Sequence, residues 1–113
     1  MTAIVFRNLT PHPLAVMAED GSILHLAKCS KPARCVNTPT SLPSLSHDNK
    51  GYRLAKSTFG AVEGLPVAVP GIILITSALV ADMVKRVDVV SPGELIRDSE
   101  GRVIGCNGFA SYA

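Results

Sequence analysis

Aromatic side chains are scarce in this sequence. They make up 4% of it, there is no tryptophan, and the only rings are Phe6, Tyr52, Phe59, Phe109 and Tyr112. A stacking platform of the kind that binds single-stranded nucleic acid needs more rings than this. The net charge of +2 is too small for a general binder of nucleic-acid polymers, though it leaves room for a local basic pocket. The start of the chain, MTAIVFRNLTPH, lacks the basic leader and apolar run of a signal peptide. The longest apolar stretch, VAVPGIILITSALVADMV, is broken by Pro70 and Gly71 and contains Asp82, so it reads as a strand followed by a helix and not as a membrane span. These features together predict a cytoplasmic protein that meets neither membrane nor polymeric nucleic acid.

Catalytic and metal motifs are lacking too. His12, His25 and His47 have no acidic partner at a recognisable spacing. Ser77 follows LIT, which does not fit a Gly-x-Ser-x-Gly elbow. No glycine-rich phosphate loop is present. Cys29 and Cys35 are separated by five residues, not a usual zinc spacing, and with Cys106 they read as small reduced side chains. The expectation is a non-enzyme with no metal and no cofactor.

The 113 residues suit a single domain, and the 47% apolar content is enough for a core, which must be aliphatic. Strands are expected at 3–7, 14–17, 23–26, 33–36, 52–59 and 72–75. A closing hairpin is expected from 94–97 and 102–105, after a turn at Ser91-Pro92-Gly93. Residues 38–51, rich in Ser, Pro, Asn and Gly, read as the longest loop. Ser77 reads as the N-cap of a helix over 78–86, with Leu79, Val80, Met83, Val84 and Val87 on one face and Lys85 and Arg86 suiting its C-terminal dipole. The resulting fold class is α+β, mainly β: an antiparallel sheet of about six strands with one or two short helices in the C-terminal part.

Three features bear on binding. The segment LIRDSEGRVIGC sets Arg97 and Arg102 across the turn Asp98-Ser99-Glu100-Gly101. Placed opposite each other in a hairpin, the two guanidinium groups repel. Either Asp98 and Glu100 fold back to balance them, or an outside anion sits between the two forks. Arg34, beside Lys28 and Lys31 and followed in the chain by Arg53 and Lys56, adds weight to an anion. His12, held between Pro11 and Pro13, is placed to hydrogen-bond backbone or ligand, and Ser77 opens a helix with free backbone N–H groups.

The blocks NLTPHPL, KPARCV, IILITSALVADMV and SPGELIRDSEGRVIGC resemble a family of small phage and prophage proteins. Members open with Leu-Thr-Pro-His and close with Arg-Asp-x-x-Gly-x-(Ile/Val)-x-Gly-Cys, and the family includes the anti-Thoeris cyclic-nucleotide sponges. The resemblance implies a sponge that is not an enzyme. It would sequester a cyclic ADP-ribose isomer, or cyclic oligonucleotides, that signals in bacterial anti-phage defence, and it would assemble as a homodimer or hexamer. It also implies ligand contacts from Arg34 and from Arg97 or Arg102, with a weaker transfer to Leu74, Thr76 and Ser77. The alternative is a small phage structural or protein-interaction module with no nucleotide ligand. The mean hydropathy of +0.30 is compatible with such a module, which would bury aliphatic surface against a partner.

Overall fold

The computed structural model describes residues 3–113. In chain order the elements are β1 (Val5–Asn8), β2 (Leu14–Met17), β3 (Ile23–Leu26), β4 (Arg34–His47), β5 (Lys50–Glu63), β6 (Ile72–Ile75), α1 (Ala78–Val84), β7 (Val89–Arg97) and β8 (Val103–Ser111). The chain is mainly β with one short helix, and it has eight strands among the described residues.

Six of these strands form one sheet in the order β1-β6-β7-β8-β2-β3, and β4 and β5 form a separate two-stranded ribbon. The main sheet is mixed, which corrects the antiparallel expectation. β6 lies parallel to both β1 and β7, and β2 lies parallel to β8. The β2–β3 and β7–β8 pairs are antiparallel. Parallel neighbours need long crossovers, and the whole ribbon lies within the connection from β1 to β6. Such pairings join distant segments and leave no local signature.

The ribbon is the second correction. The expected loop at 38–51 is strand for most of its length, turning only at Asp48 and Asn49, both with positive φ. β4 tolerates its prolines because it is an edge strand and because Pro43 sits in the irregularity between Leu42 and Leu45. Of the ribbon residues, Cys35, Leu54 and Val62 are half-buried and the rest are exposed.

The core lies where the root of the ribbon meets α1 and the sheet. Leu9, Ala33, Leu74, Val80, Ala81 and Val89 are buried together, with Cys35, Val62 and Val84 packed on them. Helix α1 is shorter than expected. Ser77 caps it by accepting a hydrogen bond from the Val80 N–H, and Lys85 ends it in the left-handed conformation at φ 47°. Lys85 and Arg86 therefore lie past the last turn, where they pair with Asp82 and Asp88. The buried face is narrower than the expected stripe. Val80 and Ala81 are buried and Val84 half-buried, whereas Leu79 and Met83 are exposed, as is Val87 just beyond the helix.

Ser91-Pro92-Gly93 is not a turn but the middle of β7. There the backbones of β7 and β8 approach so closely that a Cβ on Gly93 would overlap the Asn107 carbonyl. Gly93→Ala is expected to destabilise the fold by about 1–3 kcal/mol, the usual cost of a steric misfit in a packed site. Chemical denaturation of the two proteins checks this, and an unchanged midpoint would contradict the close approach.

Candidate functional site

Two adjoining clefts open at the root of the ribbon. One, of about 510 Å³, has Leu9, Leu65 and Pro66 in its wall and Arg7 and Lys31 among its lining residues. The other, of about 370 Å³, is lined by Pro32, Arg34 and Glu63 and shares Ser30, Lys31 and Gly64 with the first. Small-molecule sites commonly run from roughly 300 to 1,000 Å³ and combine apolar walls with a few directed polar groups.

Local structure brings these cations together. Arg7 is carried by β1, an edge strand held parallel to β6. The chain then turns through the NLTPH segment, where Asn8 acts as the fastener. Its Nδ2 donates to the carbonyls of His12 and Ala27, both at 2.9 Å. Its Oδ1 accepts from the Thr10 N–H at 2.9 Å and from the Thr10 hydroxyl at 2.7 Å. Cys29 and Ala33 then donate their N–H groups to the Thr10 and Leu9 carbonyls at 2.9 and 3.0 Å. These bonds pin the Lys31-bearing loop beside β1. Opposite it, Gly64 adopts φ +79°, and a Cβ there would come within 3.2 Å of the Pro32 carbonyl.

The clefts' lining carries three cations, Arg7, Lys31 and Arg34, and one carboxylate, Glu63. Arg34 meets Glu63 at 3.6 Å, with both side chains mostly exposed. Such a pair contributes at most about 1 kcal/mol, so Arg34 remains available to an outside anion. Among the described residues, no carboxylate lies within ion-pair distance of Arg7 or Lys31.

The other expected residues lie elsewhere. Arg97 and Arg102 are not directly opposed: an irregularity between Ile96 and Arg97 sets Arg97 against Val103. Arg97 donates to the Gly101 carbonyl at 2.8 Å. Arg102 reaches Asp98 at 3.0 Å and Glu100 at 2.9 Å, so the turn balances its own charges. Leu74 and Thr76 are buried at 3% and 0% exposure, inside the sheet and not on a surface a ligand meets in one chain. Ser77 spends its hydroxyl on the helix cap. His12 is exposed, and it is its carbonyl that Asn8 ties down.

Sequence reasoning singled out Arg34 and noted Lys31 beside it, but missed Arg7, Asn8, Thr10 and Gly64. The motif NLTP carries a signal for two of these, since an Asn two residues before a Thr is a common side-chain turn. Nothing local points to Arg7, which arrives through long-range pairing. No group of three His, Cys, Asp or Glu side chains that could hold a metal occurs among the described residues. Among the described residues no helix is long and apolar enough to cross a membrane.

Three aspartates carry depressed pKa values. Asp98 is held down chiefly by the Arg102 backbone N–H, Asp88 by its hydrogen bonds from Arg86, and Asp20 by the Ser22 hydroxyl. A carboxyl whose folded pKa lies below its unfolded value stabilises the fold above the unfolded pKa, and that contribution is lost as pH falls through the folded one. The thermal midpoint is therefore expected to fall as pH drops below about 4, the ordinary range of Asp. Asp88→Asn should flatten that acid limb. A variant as acid-sensitive as the parent would contradict the assignment.

No family model, no curated protein and no solved structure matches the chain.

Proposed function

We propose that this protein is a sponge for a small cyclic nucleotide signal. It binds a cyclic ADP-ribose isomer or a related cyclic oligonucleotide and does not hydrolyse it, so that a bacterial anti-phage defence effector goes unactivated. The observation that carries this reading is the paired cleft at the root of the ribbon. Arg7 and Lys31 line one cleft with the apolar wall of Leu9, Leu65 and Pro66, and Lys31 and Arg34 line the other.

The chemistry follows from the side chains. The pyrophosphate or phosphodiester lies against Arg34 and Lys31, with the planar fork of Arg34 suited to two phosphate oxygens. The base lies on the aliphatic wall, in keeping with a chain of five aromatic rings. Sequestration needs affinity without turnover. The resemblance in LIRDSEGRVIGC adds Arg97 and Arg102 as a second candidate pair. To take up a ligand, Arg102 would exchange Asp98 and Glu100 for it. Assembly as a dimer or hexamer in the cytoplasm of an infected bacterium belongs to the same proposal.

Isothermal titration with cyclic ADP-ribose isomers and cyclic di- and trinucleotides tests it. Arg34→Ala and Lys31→Ala are each expected to weaken binding by about 1.5–3 kcal/mol, the scale of a charge-assisted hydrogen bond, with the melting midpoint unchanged. Arg97→Ala and Arg102→Ala run beside them. Loss of affinity in those two alone would move the site to the C-terminal hairpin. No binding by the parent protein to any member of the panel would overturn the proposal and favour a protein-interaction module.

A further inference from the structure

The two edges of the ribbon differ. Among the described residues β4 and β5 pair only with each other, so each leaves one row of backbone N–H and C=O groups with no strand beside it. β4 carries Pro39 and Pro43 and loses register between Leu42 and Leu45. Prolines and irregularities of this kind keep a further strand from adding to an edge. β5 has no proline in its 14 residues. None of the backbone hydrogen bonds formed outside the regular ladders involves it. β1 and β3, the edges of the main sheet, have only four residues each.

The side chains along this open edge follow a pattern. Residues two apart on a strand share a face, which puts Lys50, Tyr52, Leu54 and Lys56 on one side of β5. Leu45 and Leu42 of β4 stand opposite Tyr52 and Leu54, so the middle of this face is apolar and a lysine stands at either end. Arg53 belongs to the other face. Residues 50–58 hold these three cations and no carboxylate. Among the described residues no Asp or Glu lies within ion-pair distance of any of the three. A two-stranded hairpin is marginal in water, and a third strand continuing an apolar face is one way to make it stable.

We infer that β5 receives a third strand from a partner protein, an extended acidic segment of the pattern acid-x-apolar-x-apolar-x-acid. Its two acids stand beside Lys50 and Lys56, roughly 20 Å apart at the rise of a strand, and its apolar residues stand beside Tyr52 and Leu54. The residue at its centre faces the same way as Arg53, where a third acid fits. Main-chain hydrogen bonds supply the affinity and the alternate side chains the selectivity. Charge selects this occupant over a second copy of the chain. Antiparallel pairing of two β5 edges centred on Arg53 would set Arg53 against its equivalent and Lys50 against Lys56, and like charges directly opposite each other are destabilising. The alternation of the cations between faces selects it over a lipid surface or a duplex. Those polyanions meet one face only, whereas an added strand meets both.

Fluorescence anisotropy of the full chain tests this with a labelled, end-capped peptide, Glu-Thr-Val-Asp-Val-Thr-Glu. A second peptide carries Lys in place of both Glu. The acidic peptide is expected to bind at least about tenfold more tightly, two cross-strand charge pairs having turned from attractive to repulsive. The double variant Lys50→Glu/Lys56→Glu should reverse that preference. Strand addition is separated from charge alone on the peptide side, with the parent protein unaltered. Only alternate N–H groups of an added strand face β5, so backbone N-methylation of one alternate set should weaken binding at least about tenfold through lost hydrogen bonds, and methylation of the other set should not. No binding of the acidic peptide, an unreversed preference in the double variant, or equal effects of the two methylated sets would each overturn the inference. Lys50- and Lys56-dependent binding of anionic vesicles or duplex DNA, with none of the peptide, would overturn it in favour of that surface.

Discussion

The structure depends on the junction at which α1 and the ribbon root share one small core. Val80 and Ala81 of the helix meet Leu9, Ala33, Leu74 and Val89 there, with Cys35 and Val62 from the two ribbon strands. Aliphatic burial of this kind contributes roughly 25 cal/mol for each Å² removed from water. At this place an exposed two-stranded ribbon becomes part of a folded domain. The same junction brings the Lys31 loop alongside β1 and so defines the cationic clefts. Packing, the course of the chain and the candidate site are consequences of one contact region.

Hydrogen bonding keeps that region in register. Asn8 ties together three points of the chain, at Thr10, His12 and Ala27. Arg86 does similar work on the far side, meeting Asp88 at 2.6 Å and the Pro66 carbonyl at 3.2 Å. That second bond fastens the segment after the ribbon to the corner between α1 and β7. No buried side-chain nitrogen or oxygen among the described residues lacks a partner. The polar groups inside the domain thus serve its architecture. Among the described residues Arg7 and Lys31, which line the clefts, have no such partner, and neither do Lys28, Lys50, Arg53 and Lys56.

How much of this was legible in the sequence depends on the range of each interaction. The hairpin of 14–17 with 23–26, the apolar strand 72–75 and the Ser77 cap were readable because turn chemistry, an apolar run and a cap are local signals. The ribbon was not. Its Ser, Thr and Pro content matches that of a loop, and its strands are exposed on both faces, so no alternation of apolar and polar residues marks them. The parallel pairings of β1, β6 and β7 leave no local trace either. That explains why Arg34 could be singled out while Arg7, in the adjoining cleft, could not. The paired arginines at the C-terminal turn show the converse. Their spacing was plain, but the irregularity at Ile96 that takes them out of opposition was not.

The central claim is capture without chemistry. It is tested most directly by incubating the purified protein with a cyclic ADP-ribose isomer, removing free ligand, denaturing the protein, and identifying the released molecule by mass spectrometry. Recovery of the intact cyclic nucleotide in proportion to protein is the result this account predicts. Release of a linear product, or of no nucleotide at all, would contradict it.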